Sequence, residues 1–204
     1  MESLNPRTQT ASNTMSKTPT RNDAEDSIKT LLAFLGEDTS REGLLDTPKR
    51  VVKAMEEMTN GYNADVEEIL GRTFDVACDE MVVLRNIPFT SLCEHHLLPF
   101  TGFACVGYLP AERVVGLSKL ARLVHCYAKR LQVQEQLTTQ IATALNACLS
   151  CKGVGVILTA NHACMSCRGV AVSGTEMVTS HVLGAFRESR EVRSEFLTLA
   201  TSHR

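Results

Sequence analysis

Residues 117–148 read LSKLARLVHCYAKRLQVQEQLTTQIATALNAC, and this stretch decides the fold class. Leu120, Leu123, Val124, Tyr127 and Leu131 recur three or four residues apart, which predicts a helix opening at Leu117-Ser118 with one buried face. Val133, Leu137, Ile141, Leu145 and Cys148 repeat the spacing, so a second helix follows directly. On both sides the texture changes to short runs rich in β-branched and aromatic residues. Met81–Ile87 and Thr101–Leu109 precede the helices, Gly153–Leu158 and Gly169–Val178 follow them, and all four read as strands. The order is strand, strand, helix, helix, strand, strand. Since βαβ alternation is absent, the expected architecture is an α+β domain with an antiparallel sheet.

Further out, Glu188–Leu199 reads as a terminal helix. Upstream, Asp23–Leu35 places Ile28, Leu31, Leu32 and Leu35 at helical spacing, with Gly36 as its stop. Thr47 reads as an N-cap with Pro48 in the first helical position of a helix reaching Met58. Its apolar positions Val51, Val52, Met55 and Met58 share one side. Residues 1–22 are rich in Ser, Thr and Asn, and read as a disordered tail rather than a transit peptide. The division is therefore a tail over 1–22, a helical extension over 23–62 and the main domain over 63–204.

Hydrophobic residues make up 44% of the 204 and charged residues 22%, the balance of a soluble globular chain. No apolar run approaches the roughly 20 residues that span a bilayer, so no membrane partner is expected. A net charge of -2 gives no global pull on nucleic acid, so an anionic ligand must be met by a local basic cluster. Eight cysteines without an apolar leader segment point to reduced thiols in a cytoplasm, available as ligands, catalysts or core residues.

Two constellations compete for a metal. Cys148-x-x-Cys151 with Cys164-x-x-Cys167 has the spacing of a four-cysteine structural zinc site. Against it, Cys148 continues the apolar series of its helix and reads as a core residue. The other is Cys93-Glu94-His95-His96 with His162-Ala163-Cys164, two inter-strand loops that one end of a sheet can bring together. Thiolate and imidazole suit zinc, and three protein ligands leave one position for water.

Cys93-Glu94-His95-His96, Gly116-Leu117-Ser118-Lys119-Leu120-Ala121-Arg122, Gln132-Val133-Gln134-Glu135 and His162-x-Cys164-x-x-x-Arg168-Gly169 occur in this order. Thr47-Pro48-x-Arg50-Val51-x-Lys53 lies upstream and Val178-Thr179-Ser180 downstream. Over residues 25 to 200 this succession resembles the GTP cyclohydrolase I family. The resemblance implies the tunnelling fold, in which copies of the strand-strand-helix-helix-strand-strand unit close a barrel. It also implies a homodecamer of two pentamers with active sites between subunits. The implied reaction is zinc-dependent hydrolysis of GTP at C8. Ring opening, formate release and ribose rearrangement then give 7,8-dihydroneopterin triphosphate, the first step toward folate or tetrahydropterins.

Carried over by position, the zinc ligands are Cys93, His96 and Cys164, which would lower the pKa of a bound water. His95 and His162 match the proton-transferring histidines, a role suited to an imidazole titrating near neutrality. His162 is assigned to N7 of the purine and His95 to the water. Glu135, assisted by Gln134, matches the guanine reader, since a carboxylate accepts from N1–H and the 2-amino group together. Ser118, Lys119, Arg122 and Arg168 match triphosphate contacts, and Arg50 and Lys53 further ones from an adjacent subunit. Nothing in the resemblance adds a nucleic acid or names a regulatory protein.

Three positions depart from the family pattern. Gln136 replaces an arginine beside the guanine-reading turn. Thr159 stands where an acid is common, so an acid that would orient His162 is missing. Cys167 beside Arg168 adds an oxidisable thiol. Two other readings compete with the hydrolase: a binding or regulatory paralogue, and a different pterin- or deazapurine-processing enzyme of the same fold. The complete set of ligands and histidines separates the hydrolase from both.

Overall fold

A computed structural model describes residues 18–202. The chain divides into two compact units, one ending at Ala54 and the next beginning at Met55. Of the expected tail, residues 1–17 lie outside the described residues, and Arg21 and Asn22 already belong to helix α1 (Arg21–Phe34). A capping box starts α1: the Thr20 hydroxyl accepts from the Asp23 amide, and the Asp23 carboxylate accepts from the Thr20 amide at 2.7 Å. Helix α2 (Thr47–Met58) corrects one expectation, because Thr47 lies inside its first turn and not at the cap. The Thr47 hydroxyl donates back to the Gly43 carbonyl at 3.3 Å, so it is occupied within the preceding turn.

The second unit contains α3 (Val66–Leu70), β1 (Thr73–Phe74), β2 (Val82–Cys93), β3 (Pro99–Leu109), β4 (Val114–Val115) and α4 (Leu117–Ala128). It continues with β5 (Leu131–Gln132), α5 (Gln134–Leu149), β6 (Gly153–His162), α6 (Ala163–Ser166), β7 (Met177–Gly184), α7 (Ala185–Glu188) and α8 (Arg190–Thr201). The main sheet has the order β5-β2-β3-β6-β7. Its pairings are antiparallel except β5, which lies parallel to β2 through Leu92↔Leu131 and Cys93↔Gln132. This is a mixed α+β architecture.

Helices α4 and α5 cover one sheet face. Leu120, Leu123, Val124, Leu137, Ile141 and Leu145 pack there with Val106, Tyr108, Val154, Val156 and Leu158, all buried. The other face carries α8, whose buried Phe196 lies over Gly107 and Gly155 and meets Phe186 edge-on at 5.2 Å. A β-carbon at Gly155 would fall 2.7 Å from the Phe196 ring, so glycine is required for that seat.

Four boundaries differ from the sequence expectation. Ser91, Leu92 and Cys93 are the buried end of β2, not a loop, because hydrogen bonding to β3 continues through them. Leu131 leaves the helix to pair with β2. Residues 169–176 are an exposed loop with positive φ at Gly169, Ala171 and Gly174, and the strand begins only at Met177. The terminal helix breaks at Ser189, whose hydroxyl accepts from the Val192 amide and starts α8 afresh.

Candidate active site

Cys93 ends β2 and is buried, and its amide donates to the Leu98 carbonyl at 2.9 Å. The amides of His96 and Leu97 both return to the Cys93 carbonyl, at 3.3 and 2.8 Å, closing a tight turn with Leu97 at φ 54°. This turn holds Glu94, His95 and His96 at the surface. The Glu94 amide donates to the Gln132 carbonyl at 3.1 Å, tying the turn to the two-residue strand that leads into α5. Strand β6 runs antiparallel to β3, setting His162 opposite Phe100. The chain then turns into α6, which delivers Cys164.

Cys93, His96 and Cys164 offer ligand atoms that all lie within 4.8 Å of one another. The Cys93 sulfur is 3.8 Å from His96 Nδ1 and 3.9 Å from His95 Nδ1. Burial pushes the Cys164 thiol up, and the neighbouring Cys93 pushes it further. Two thiolates so close need a cation between them, and two sulfurs with one imidazole fit a soft, four-coordinate divalent ion such as zinc. No other cluster of this kind occurs among the described residues. The four-cysteine alternative is not assembled. Cys148 is exposed, contrary to the expected core position, because it lies beyond the buried stretch that ends at Leu145.

A cleft of about 470 Å³ opens on this cluster, within the range of a small-ligand site. Glu135, Gln134, His162 and His95 line it with the three ligands. Glu135 stands exposed in the first turn of α5. The His162 ring stacks parallel on Phe100, with centroids 4.6 Å apart and planes 3° apart. Burial pushes the His162 pKa down, and the Glu135 carboxylate opposes this with a smaller upward pull. His95 Nε2 is 3.9 Å from a Glu94 carboxylate oxygen; both groups are exposed, so the pair is weak.

Gln134 is 1% exposed although fully polar. Its side-chain nitrogen donates to the carbonyls of Met177 (2.9 Å) and Leu158 (3.2 Å) and to the Thr179 hydroxyl (3.1 Å). Its oxygen lies 2.8 Å from His162 Nε2. In the sequence Thr179 stands only in the Val178-Thr179-Ser180 match, just past the expected strand, and no spacing rule connects it to Gln134. Thr159 corrects another expectation. It points away from the cleft, into a cavity beneath α8 with Arg85 and Phe103, so it does not stand beside His162.

The polar and basic residues at the start of α4 are not drawn to this cleft within one chain. Ser118, Lys119 and Arg122 occupy the start of α4 and are absent from the cleft lining. That start is moored to Tyr108, whose hydroxyl accepts from the Val115 amide at 3.0 Å. Tyr108 and Phe100 are eight residues apart on β3, a separation of about 25 Å. Arg168 sits in the exposed segment after α6, near enough to Cys164 for its charge to oppose the upward push of burial and Cys93 on that thiol. Arg50 and Lys53 lie on α2, where Arg50 pairs with Asp46 at 3.1 Å. Gln136 is exposed on α5.

A family model described as GTP cyclohydrolase I matches residues 24–201. GTP cyclohydrolase 1 of Wolinella succinogenes is 53% identical over 174 residues, 85% of this chain and 93% of that one. GTP cyclohydrolase 1 of Coxiella burnetii is 52% identical over 179 residues, 87% of this chain and 97% of that one. Among solved structures, the apo archaeosine synthase QueF-Like overlaps 51% of this chain and 93% of its own, with 18% identity and a TM-score of 0.43. No helix among the described residues is long and apolar enough to cross a membrane.

Proposed function

The chain belongs to the GTP cyclohydrolase I family and has its activity, conversion of GTP to dihydroneopterin triphosphate; we propose that a zinc ion held by Cys93, His96 and Cys164 serves this reaction in the cleft beside Glu135. The observation that carries this reading is the opening of one cleft onto a sulfur–sulfur–imidazole cluster, a carboxylate and a half-buried histidine. When bound, zinc supplies the Lewis acidity that makes water nucleophilic near neutral pH.

The chain's own groups do the rest. The Glu135 carboxylate accepts hydrogen bonds from guanine N1–H and the 2-amino group. Adenine presents no such pair and would leave the carboxylate desolvated and unpartnered. His162 gives a proton to the purine at N7, where positive charge promotes attack at C8. His95, beside the ligands and open to solvent, moves protons to and from the attacking water. Formate leaves after the second hydrolysis.

The triphosphate falls to Ser118, Lys119, Arg122 and Arg168, with Arg50 and Lys53 adding charge. The start of α4 lies about 25 Å from the cleft end of its own sheet, farther than a nucleoside triphosphate spans. A neighbouring copy therefore supplies Ser118, Lys119 and Arg122, while Arg168 stands near the ligand Cys164 of its own chain; this supports a tunnelling-fold homodecamer with active sites between subunits. Residues 23–62 act as a helical extension to the catalytic domain at 63–204. A site that depends on two thiolates suits the reducing cytoplasm.

The test is formate release and dihydroneopterin triphosphate formation from GTP and from ATP, with metal content assayed. A chelated sample and Cys93→Ser run beside it. Product from GTP alone, abolished in both controls, is expected; metal-loaded, assembled protein that leaves GTP intact would overturn the reading.

A further inference from the structure

We infer that Gln134 is not a reader of the nucleobase but a positioning residue that holds His162 as its Nε2–H tautomer, leaving Nδ1 as the nitrogen that exchanges the proton with substrate. The inference rests on the proposed role of His162 and deepens it.

The argument follows hydrogen-bond direction through the buried network. The carbonyl oxygens of Met177 and Leu158 can only accept, and the same Gln134 side-chain atom faces both, at 2.9 and 3.2 Å. That atom is therefore the amide nitrogen, and the orientation of the Gln134 amide is settled by its surroundings. Its oxygen, 2.8 Å from His162 Nε2, can only accept. His162 Nε2 must then carry a hydrogen in the neutral and in the charged ring alike.

The rest of the network enforces the same direction. Thr138 donates to the Gln134 backbone carbonyl at 2.7 Å, and its oxygen lies 2.6 Å from that of Thr179. The Thr138 hydrogen is committed to the carbonyl, so the Thr179 hydroxyl donates to Thr138. The Thr179 oxygen is left to accept from Gln134 at 3.1 Å. The loop closes with every hydroxyl hydrogen used, and a reversed Gln134 amide would set its oxygen against two carbonyl oxygens. Stacking on Phe100 fixes the plane of the ring. No buried polar side-chain atom among the described residues lacks a partner. With its hydrogens shared among three internal acceptors, the Gln134 amide has no donor left for guanine.

The tautomer is read directly from solid-state ¹⁵N spectra of histidine-labelled, metal-loaded protein, with His162 assigned by difference from His162→Asn. The neutral His162 ring is expected to be protonated at Nε2; protonation at Nδ1 overturns the inference whatever the activity. In kinetics, Gln134→Met keeps the length of the side chain and removes its hydrogen bonds. It should lower kcat by about 100-fold or more, the scale of a positioned proton-transfer group, with KM for GTP within about threefold. A rise in KM with kcat preserved would return Gln134 to nucleobase reading and overturn the inference. Full activity of His162→Asn would instead remove the catalytic role of His162 while leaving the spectroscopic result intact, so the two failures are distinct.

Discussion

Thr159 and His162 stand three residues apart on β6 and face opposite sides of the sheet. Any odd separation on a strand reverses the direction of the side chain, so a residue at 159 cannot reach the His162 ring. Thr159→Val should accordingly leave kcat/KM for GTP within about twofold, as expected for sites without shared partners. A tenfold loss in steady-state kinetics would show that the two faces communicate.

The metal cluster separates two sets of cysteines. Cys93→Ser and Cys164→Ser should each take bound zinc from about one ion per chain toward none and abolish turnover, since a three-ligand site does not tolerate loss of a thiolate. Cys148→Ser and Cys151→Ser should retain full metal content. Elemental analysis after gel filtration decides between the clusters.

Glu135 is the only carboxylate in the first turn of α5 and lines the cleft. Glu135→Gln replaces one of the two acceptors with a donor facing the guanine edge. The kcat/KM for GTP should fall by about 100-fold or more, while bound zinc stays unchanged. Parallel measurement of metal content and kinetics distinguishes loss of recognition from loss of the site.

If the phosphate-binding cations come from a neighbouring copy, two inactive variants can repair one another. His162→Asn and the double variant Lys119→Ala/Arg122→Ala should each be inactive alone. Co-assembled in equal amounts, they should regain about a quarter of the sites, the fraction in which both intact halves meet. Mixed assemblies that stay inactive would place the whole site within one chain.

Burial raises the thiols of Cys105 and Cys151 from an ordinary 9.0 to about 11. The unfolded chain releases these protons first, so their contribution to stability is complete below pH 9 and declines as pH rises toward 11. Tyr108 and Tyr127, also raised by burial, act in the same direction. Denaturant midpoints measured from pH 8 to 11 should fall, and less steeply in Cys105→Ala/Cys151→Ala than in the parent. Equal slopes would mean that the thiols contribute nothing.

The two central helices were legible because Leu120 to Tyr127 and Leu137 to Leu145 repeat at 3.6-residue spacing on a single buried face. The ligands were legible as donor types at short spacing, together with a succession of motifs. Strand β7 was hidden for a physical reason. Gly169-Val170-Ala171-Val172 has strand-like composition, yet positive φ at Gly169 and Ala171 makes it loop, while the true strand carries Thr179, Ser180 and His181. Thr179 is polar because it serves Gln134, a requirement set across 45 residues and invisible to local pattern. Cys148 was misplaced because helical periodicity continued past the point where the sheet stops covering α5.

The rung joining Cys93 to Gln132 works as a ruler. It sets the distance between Cys93 of the candidate metal cluster and Glu135, the carboxylate proposed to read the base, with only two residues intervening between Gln132 and Glu135. Leu131–Glu135 cannot drift in length without moving Glu135 relative to Cys93. One inserted residue would turn Glu135 about 100° around the α5 axis while the metal stayed in place. Divergence of this segment must preserve its length together with the side chains of Gln134 and Glu135.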